Sequence, residues 1–194
     1  VPIVCDMSSN IMSKPVDVSK YGIIFAGAQK NMAPAGVTLV IVRDDLLGME
    51  LPYTPIMMSY KTMVEKDSMH NTPPCYNIYM LGLVLKWIDS KGGLEGMEKI
   101  RTERAKILYD FLEESKLFKS PVRPDSRSDM NIPFITGDEA LDKQFIKEAE
   151  AHGFVNLAGH RTVGGMRASI YNAMPIEGVK ALVEFMKEFE RKNK

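Results

Sequence analysis

The sequence has 194 residues, is 45% apolar and carries 25 basic against 25 acidic side chains, the make-up of an ordinary globular protein with enough chain to bury a core. Zero formal net charge and no long run of like charge exclude the electrostatic footprint of a nucleic-acid or anionic-membrane binder, so an anionic ligand must be held by a few placed groups. Cys5 and Cys75 have no second ligand beside them, so no metal and no disulfide framework is expected and a reducing cytoplasm is the expected compartment; no apolar run approaches the length of a membrane span and no signal-peptide pattern opens the chain.

Three short apolar runs open the sequence: Val1 to Cys5, Tyr21 to Phe25 and Val37 to Val42. Rich in β-branched residues and bounded by Gly and Pro, they read as strands buried on both faces of a largely parallel sheet, hence an α/β architecture. Val1-Pro2-Ile3-Val4-Cys5 begins as a strand with no Met and no lead-in, which suggests a chain cut from something longer. From Leu46 to Asn71 the pattern weakens into an irregular stretch with room for a short hairpin.

Asn71-Thr72-Pro73-Pro74 signals a helix start, because a proline in the first turn gives up an N–H that would have no partner there. The helix should run from about Pro74 to Ser90 with Tyr76, Tyr79, Met80, Leu83, Val84, Trp87 and Ile88 at i, i+3 and i+4, mostly buried, and stop at Gly92-Gly93. The methionines, Trp87 and the helix-face aromatics are read as core. A longer, more charged helix follows from about Leu94 to Glu114, of a length that suits a spine between two lobes. After the turn Ser120 to Pro124 the expected order is strand (Met130 to Ile135), helix (Glu139 to His152), strand (Phe154 to Leu157), strand (Met166 to Tyr171) and helix (Ile176 to Arg191), a small α+β lobe. The division expected is 1–95 and 96–194.

Ala26-Gly27-Ala28-Gln29-Lys30-Asn31 follows directly on an apolar strand. In open α/β sheets ligands bind at such strand ends, and small residues let backbone and ligand approach closely. A lysine placed there can be desolvated and attack a carbonyl, although a lone lysine in a small-residue turn is ordinarily just solvated. Asp6 ends the preceding strand. A carboxylate there can hold the proton of a heterocyclic nitrogen, or can simply form an N-cap or Asx turn. The two residues at neighbouring strand ends favour the chemical reading over either residue alone.

Four strings carry a family resemblance: Val4-Cys5-Asp6-Met7-Ser8-Ser9; Ile24-Phe25-Ala26-Gly27-Ala28-Gln29-Lys30-Asn31; His70-Asn71-Thr72-Pro73-Pro74; and Gly159-His160-Arg161-Thr162-Val163-Gly164-Gly165-Met166-Arg167-Ala168-Ser169. In order and spacing they resemble the phosphoserine aminotransferases, class-V, fold-type I enzymes dependent on pyridoxal 5′-phosphate. The likeness implies the C-terminal half of such an enzyme, with 1–95 the end of the cofactor-binding large domain and 96–194 a small α+β domain.

It further implies transamination between glutamate and 3-phosphohydroxypyruvate, giving phosphoserine and 2-oxoglutarate, in a cytoplasmic homodimer of serine biosynthesis. Lys30 is then the Schiff-base lysine and proton carrier, Asp6 the partner of the pyridinium nitrogen, and Gln29 a holder of the cofactor phosphate, joined by Asn71 and Thr72 from the neighbouring subunit. Arg167 matches the clamp of the substrate carboxylate, and His160 and Arg161 match the groups that recognise the substrate phosphate. Three parts of the family's pocket have no counterpart in this sequence: the small-residue phosphate loop, the ring-stacking aromatic and a further substrate-phosphate arginine. Independent activity is therefore not expected, and a non-catalytic, self-associating folded fragment is the alternative. Ala33 stands where many relatives have glycine, which a negative φ would tolerate.

Overall fold

Ile23–Gly27 forms the central strand, β2, of a three-stranded sheet in a computed structural model that describes residues 1–193. Its side chains alternate, with Ile24 and Ala26 fully buried. Strand β1 (Val4–Asp6) pairs with it in parallel, Asp6 opposite Phe25, and β3 (Thr38–Val42) pairs antiparallel, Gly27 opposite Thr38. The expectation of a largely parallel sheet is corrected here by loop length. Residues 7–22 are long enough to cross over between parallel strands, whereas residues 28–37 are short enough only to turn back. Nor are all three strands buried on both faces: Val4 is 60% and Ile41 40% exposed, and β1 and β3 are the sheet's edges.

The chain divides into two compact units, Val1–Glu95 and Gly96–Lys194. In the first, the core is a small cluster of Met7, Ile11, Ile24, Ala26, Ala28 and Met32. No hairpin forms between residues 46 and 71. That stretch holds single 3-10 turns and one short helix, α1 (Tyr60–Glu65), whose N-cap Ser59 accepts from Thr62 N–H at 3.2 Å.

Helix α2 (Cys75–Ser90) occupies the expected span and stops at Gly92 and Gly93, both in the left-handed region. The expectation that it is mostly buried is overturned. Tyr76 and Tyr79 are about two-thirds exposed, Ile78, Leu83 and Leu85 are exposed, and Ile88 is its buried residue. Helical periodicity reports which positions are apolar, and burial depends on a neighbour that periodicity does not contain. Exposed Met49, Met57, Met58 and Met69 correct the reading of the methionines as uniformly core.

Helix α3 (Gly93–Glu114) supplies Ala105, Leu108, Phe111 and Leu112 to the core of the second unit. Two antiparallel strands, β4 (Asn131–Phe134) and β5 (Met166–Ser169), bury Ile132, Phe134, Met166 and Ala168 on one face. Helix α4 (Glu139–Ala151) is capped by Asp138, which accepts from Ala140 N–H at 2.7 Å. Helix α5 (Ile176–Lys192) presents Val179, Leu182, Val183, Met186 and Phe189 along one stripe.

Phe118 is the hub of this core. It packs edge-on against Phe145 with centroids 5.1 Å apart and lies near Phe134, Phe111 and Phe189. The strand expected at Phe154 to Leu157 is replaced by irregular chain with a single bridge, Ala158 to Met166, because Asn156 sits at φ 61° and breaks the pleat. Arg104 is fully buried and donates from Nη1 to the carbonyls of Asn172 (3.1 Å) and Met174 (2.7 Å), tying down the chain after β5; burial lowers its pKa.

Candidate active site

Parallel pairing places the C-terminal ends of β1 and β2 side by side, and with them Asp6 and the turn that carries Lys30. The Asx turn weighed for Asp6 does form, since Ser8 N–H donates to Asp6 Oδ1 at 2.8 Å. It does not compete with the chemical role, because the same turn holds the carboxylate in its charged form. The Ser8 hydroxyl first and its backbone N–H second keep the Asp6 pKa below the ordinary carboxylate value, and the nearby Lys30 ammonium adds to this. Ser8 Oγ also accepts from Gly27 N–H at 3.0 Å, so one side chain ties the end of β1 to the end of β2.

The Lys30 turn is held from beneath. Ala26 and Ala28 are fully buried, Ala28 N–H donates to Val37 O at 2.9 Å, and Met32 and Ala33 N–H both donate to Ala28 O at 2.9 Å. Ala33 is not among the residues of positive φ, so its methyl is accommodated. The buried Asn31 donates through Nδ2 to Ile11 O at 2.9 Å and to Ser9 O at 3.3 Å, locking the loop after β1 against the turn after β2. Gln29 folds back over Gly27, where a Cβ would lie 2.7 Å from Gln29 Oε1. The result is a rigid, small-residue platform with a half-buried lysine and an exposed, ionised carboxylate.

Asn71 and Thr72 stand exposed on the bend before α2, where Asn71 Nδ2 donates to Thr72 O at 3.2 Å; neither hydrogen-bonds Asp6 or Gln29. Ser8 and Asn31 are the structural supports for which the reading of the sequence assigned no role. Their signal was there, inside the quoted strings, as short polar residues one turn beyond each strand.

In the second unit, β5 carries Arg167 opposite Pro133 of β4, and Arg167 N–H donates to Leu157 O at 2.7 Å. The side chain is half-buried, and its Nε is enclosed without a hydrogen-bond partner among the described residues. It lines a pocket of about 540 Å³ together with Leu157, Ser169, Met174 and Val179. A buried guanidinium nitrogen without an acceptor is costly, and an acceptor supplied by a ligand relieves it.

His160 and Arg161 lie on the exposed loop just before β5. Gly159 N–H donates to Gly165 O, and Val163 and Gly164 N–H donate to His160 O, all at 2.8 Å, so the loop closes on itself. A Cβ at Gly159 would come 1.9 Å from Gly164 O, which rules out any side chain there. With Lys143 and Asp142 of α4 they line a separate pocket of about 470 Å³. In the second unit, Arg167 thus lines one pocket and His160 and Arg161 line another. His152 makes a structural contact, its Nδ1 lying 2.7 Å from Glu148 O.

The family model for Aminotransferase class-V matches residues 1–182. A phosphoserine aminotransferase of Listeria monocytogenes is 55% identical over 194 residues, covering 100% of this chain and 53% of the relative. The solved phosphoserine aminotransferase of Bacillus circulans subsp. alkalophilus superposes with a TM-score of 0.97 at 49% identity, over 100% of this chain and 54% of that one. The phosphoserine aminotransferase of Trichomonas vaginalis, solved with pyridoxal phosphate bound, gives a TM-score of 0.91 at 41% identity, over 96% of this chain and 53% of that one. The chain spans about half the length of the curated relatives it matches.

Proposed function

The chain belongs to the class-V aminotransferase family, and we propose that it forms the lysine-bearing half of a phosphoserine aminotransferase, a cytoplasmic enzyme of serine biosynthesis that exchanges the amino group between phosphoserine and 2-oxoglutarate. The observation that carries this reading is the Asp6–Lys30 pair, an ionised carboxylate and a lysine held at neighbouring parallel strand ends on a small-residue platform. Those residues fit pyridoxal 5′-phosphate: a carboxylate for a pyridinium N–H, an amine for an aldehyde, and space made by Ala26, Gly27 and Ala28.

When bound, the cofactor supplies an electron sink for the substrate α-carbon. Lys30 would hold it through its amine and would move a proton to or from the substrate α-carbon. Asp6, kept ionised by Ser8, holds the pyridinium proton in place. Gln29 secures the cofactor phosphate, with Asn71 and Thr72 reaching it from a second copy in a homodimer. Their exposure on the bend before α2, next to the exposed apolar residues of that helix, supports this role.

Arg167 takes the substrate α-carboxylate in its planar fork, and His160 and Arg161 take the substrate phosphate. We assign residues 1–95 to the end of the cofactor-binding domain and 96–194 to a small α+β domain.

The test is borohydride reduction of the full-length protein mixed with pyridoxal phosphate, followed by peptide mapping. A pyridoxyl mass on the peptide bearing Lys30 is expected, and an adduct on another lysine, or none, overturns the reading. Arg161→Ala should then weaken use of phosphorylated donors and spare unphosphorylated ones; equal loss for both would remove Arg161 from phosphate recognition.

A further inference from the structure

The loop from Gly159 to Gly165 contains one polar side chain to which the reading above gives no role, Thr162. Both of its polar groups meet the same atom of His160: Oγ1 lies 2.7 Å from Nδ1, and the backbone N–H donates to Nδ1 at 3.3 Å. A peptide N–H can only donate, so Nδ1 must offer a lone pair. The hydroxyl could act either way. With Nδ1 an acceptor it must donate as well, and the single proton of the neutral imidazole then resides on Nε2.

We propose that Thr162 is a positioning residue that holds His160 in its Nε2–H form, so that the ring meets a phosphate monoester with a donor. This inference rests on His160 recognising the substrate phosphate. The chemistry requires that polarity. The oxygens of a phosphate dianion accept hydrogen bonds and donate none, so the opposite tautomer would set a lone pair against them. Because Thr162 acts from two residues away within a loop already closed by backbone bonds, the tautomer is set locally. Arg161, on the same loop, is a donor in every state, whereas His160 becomes a reliable donor through its neighbour.

The experiment uses the full-length holoenzyme labelled with ¹⁵N-histidine, the His160 signals being assigned by their loss in His160→Gln. With the ring neutral, long-range ¹H–¹⁵N correlations should show protonated Nε2 and bare Nδ1. Thr162→Val keeps the longer backbone N–H contact but loses the hydroxyl at 2.7 Å, so the share of the Nε2–H form should fall, and Thr162→Ser should restore the native spectrum. In turnover, Thr162→Val should raise the KM for phosphoserine roughly three- to tenfold, the loss of about one hydrogen bond, with recovery in Thr162→Ser. The KM for glutamate should move less than about twofold in the same variant.

A protonated Nδ1 in the native spectrum, or a parallel rise of KM for both donors, overturns the proposal. Absence of a pyridoxyl adduct at Lys30 would instead speak against the transaminase reading. The spectrum would still decide what Thr162 does to His160.

Discussion

The two units of this chain are stabilised in different ways. The second is organised around an aromatic hub, with Phe118 in contact with four other phenylalanines and helices α3, α4 and α5 each presenting one apolar stripe. The first has a small apolar cluster under one sheet, and α2 turns much of its apolar surface outward. Yet the first unit carries Lys30 and Asp6. Its precision comes from hydrogen bonds: Ser8 bridges two strand ends and Asn31 bridges two loops. A packed core tolerates moderate repacking, whereas a site set by a few directional bonds depends on each of them.

The contrast can be tested in the full-length protein, beginning where the effect should be largest. Phe118→Ala should cost about 3–5 kcal/mol in urea unfolding, because it opens a cavity at the centre of a fully buried aromatic cluster. A loss under about 1 kcal/mol would mean that this core is not a single packed unit. Asn31→Ala should cost about 1–3 kcal/mol, since the Ser9 and Ile11 carbonyls lose their donor, and it should loosen the Lys30 turn. Slower borohydride trapping at Lys30 in that variant would show that the bridge serves the site as well as the fold.

Tyr79→Ala gives the sharpest comparison of the two units: its helix face is open in this chain, where truncation should cost less than about 0.5 kcal/mol, and covered in the homodimer proposed above, where it should cost more. A loss above about 2 kcal/mol in the full-length protein would show that this face is covered there, and the contrast in packing would then belong to the chain as drawn.

The smallest effect is electrostatic. Asp6 has a folded-state pKa below its unfolded value, so its contribution to stability is present at neutral pH and is lost as pH falls through the depressed folded value. Ser8→Ala should move the Asp6 titration, followed by carboxyl ¹³C NMR, upward toward the ordinary aspartate value of about 3.9. No movement would remove Ser8 as the cause.

The strand-end positions of Asp6 and Lys30 were legible in the sequence because an apolar run ending in small residues marks both a buried strand and its exit. The spans of α3 and α5 were legible for a related reason, since their apolar residues recur at helical spacing, and in the structure each finds a core. Helix α2 shows the limit of that argument: its spacing was as regular as theirs, but Tyr76 and Tyr79 face outward. The run Phe154 to Leu157 looked like a strand until the positive φ of Asn156 removed its pleat.

What the sequence determined by itself was local: which residues are apolar, where glycine and proline stop an element, and which strings carry the family's chemistry. Tertiary structure alone decided the antiparallel return of β3, the cover over each helix, the enclosed Nε of Arg167, and the double use of Ser8. These depend on residues far apart in the chain meeting in space. Burial and hydrogen-bond partnership are properties of pairs, and a pattern read along one strand or helix contains only one member of each pair.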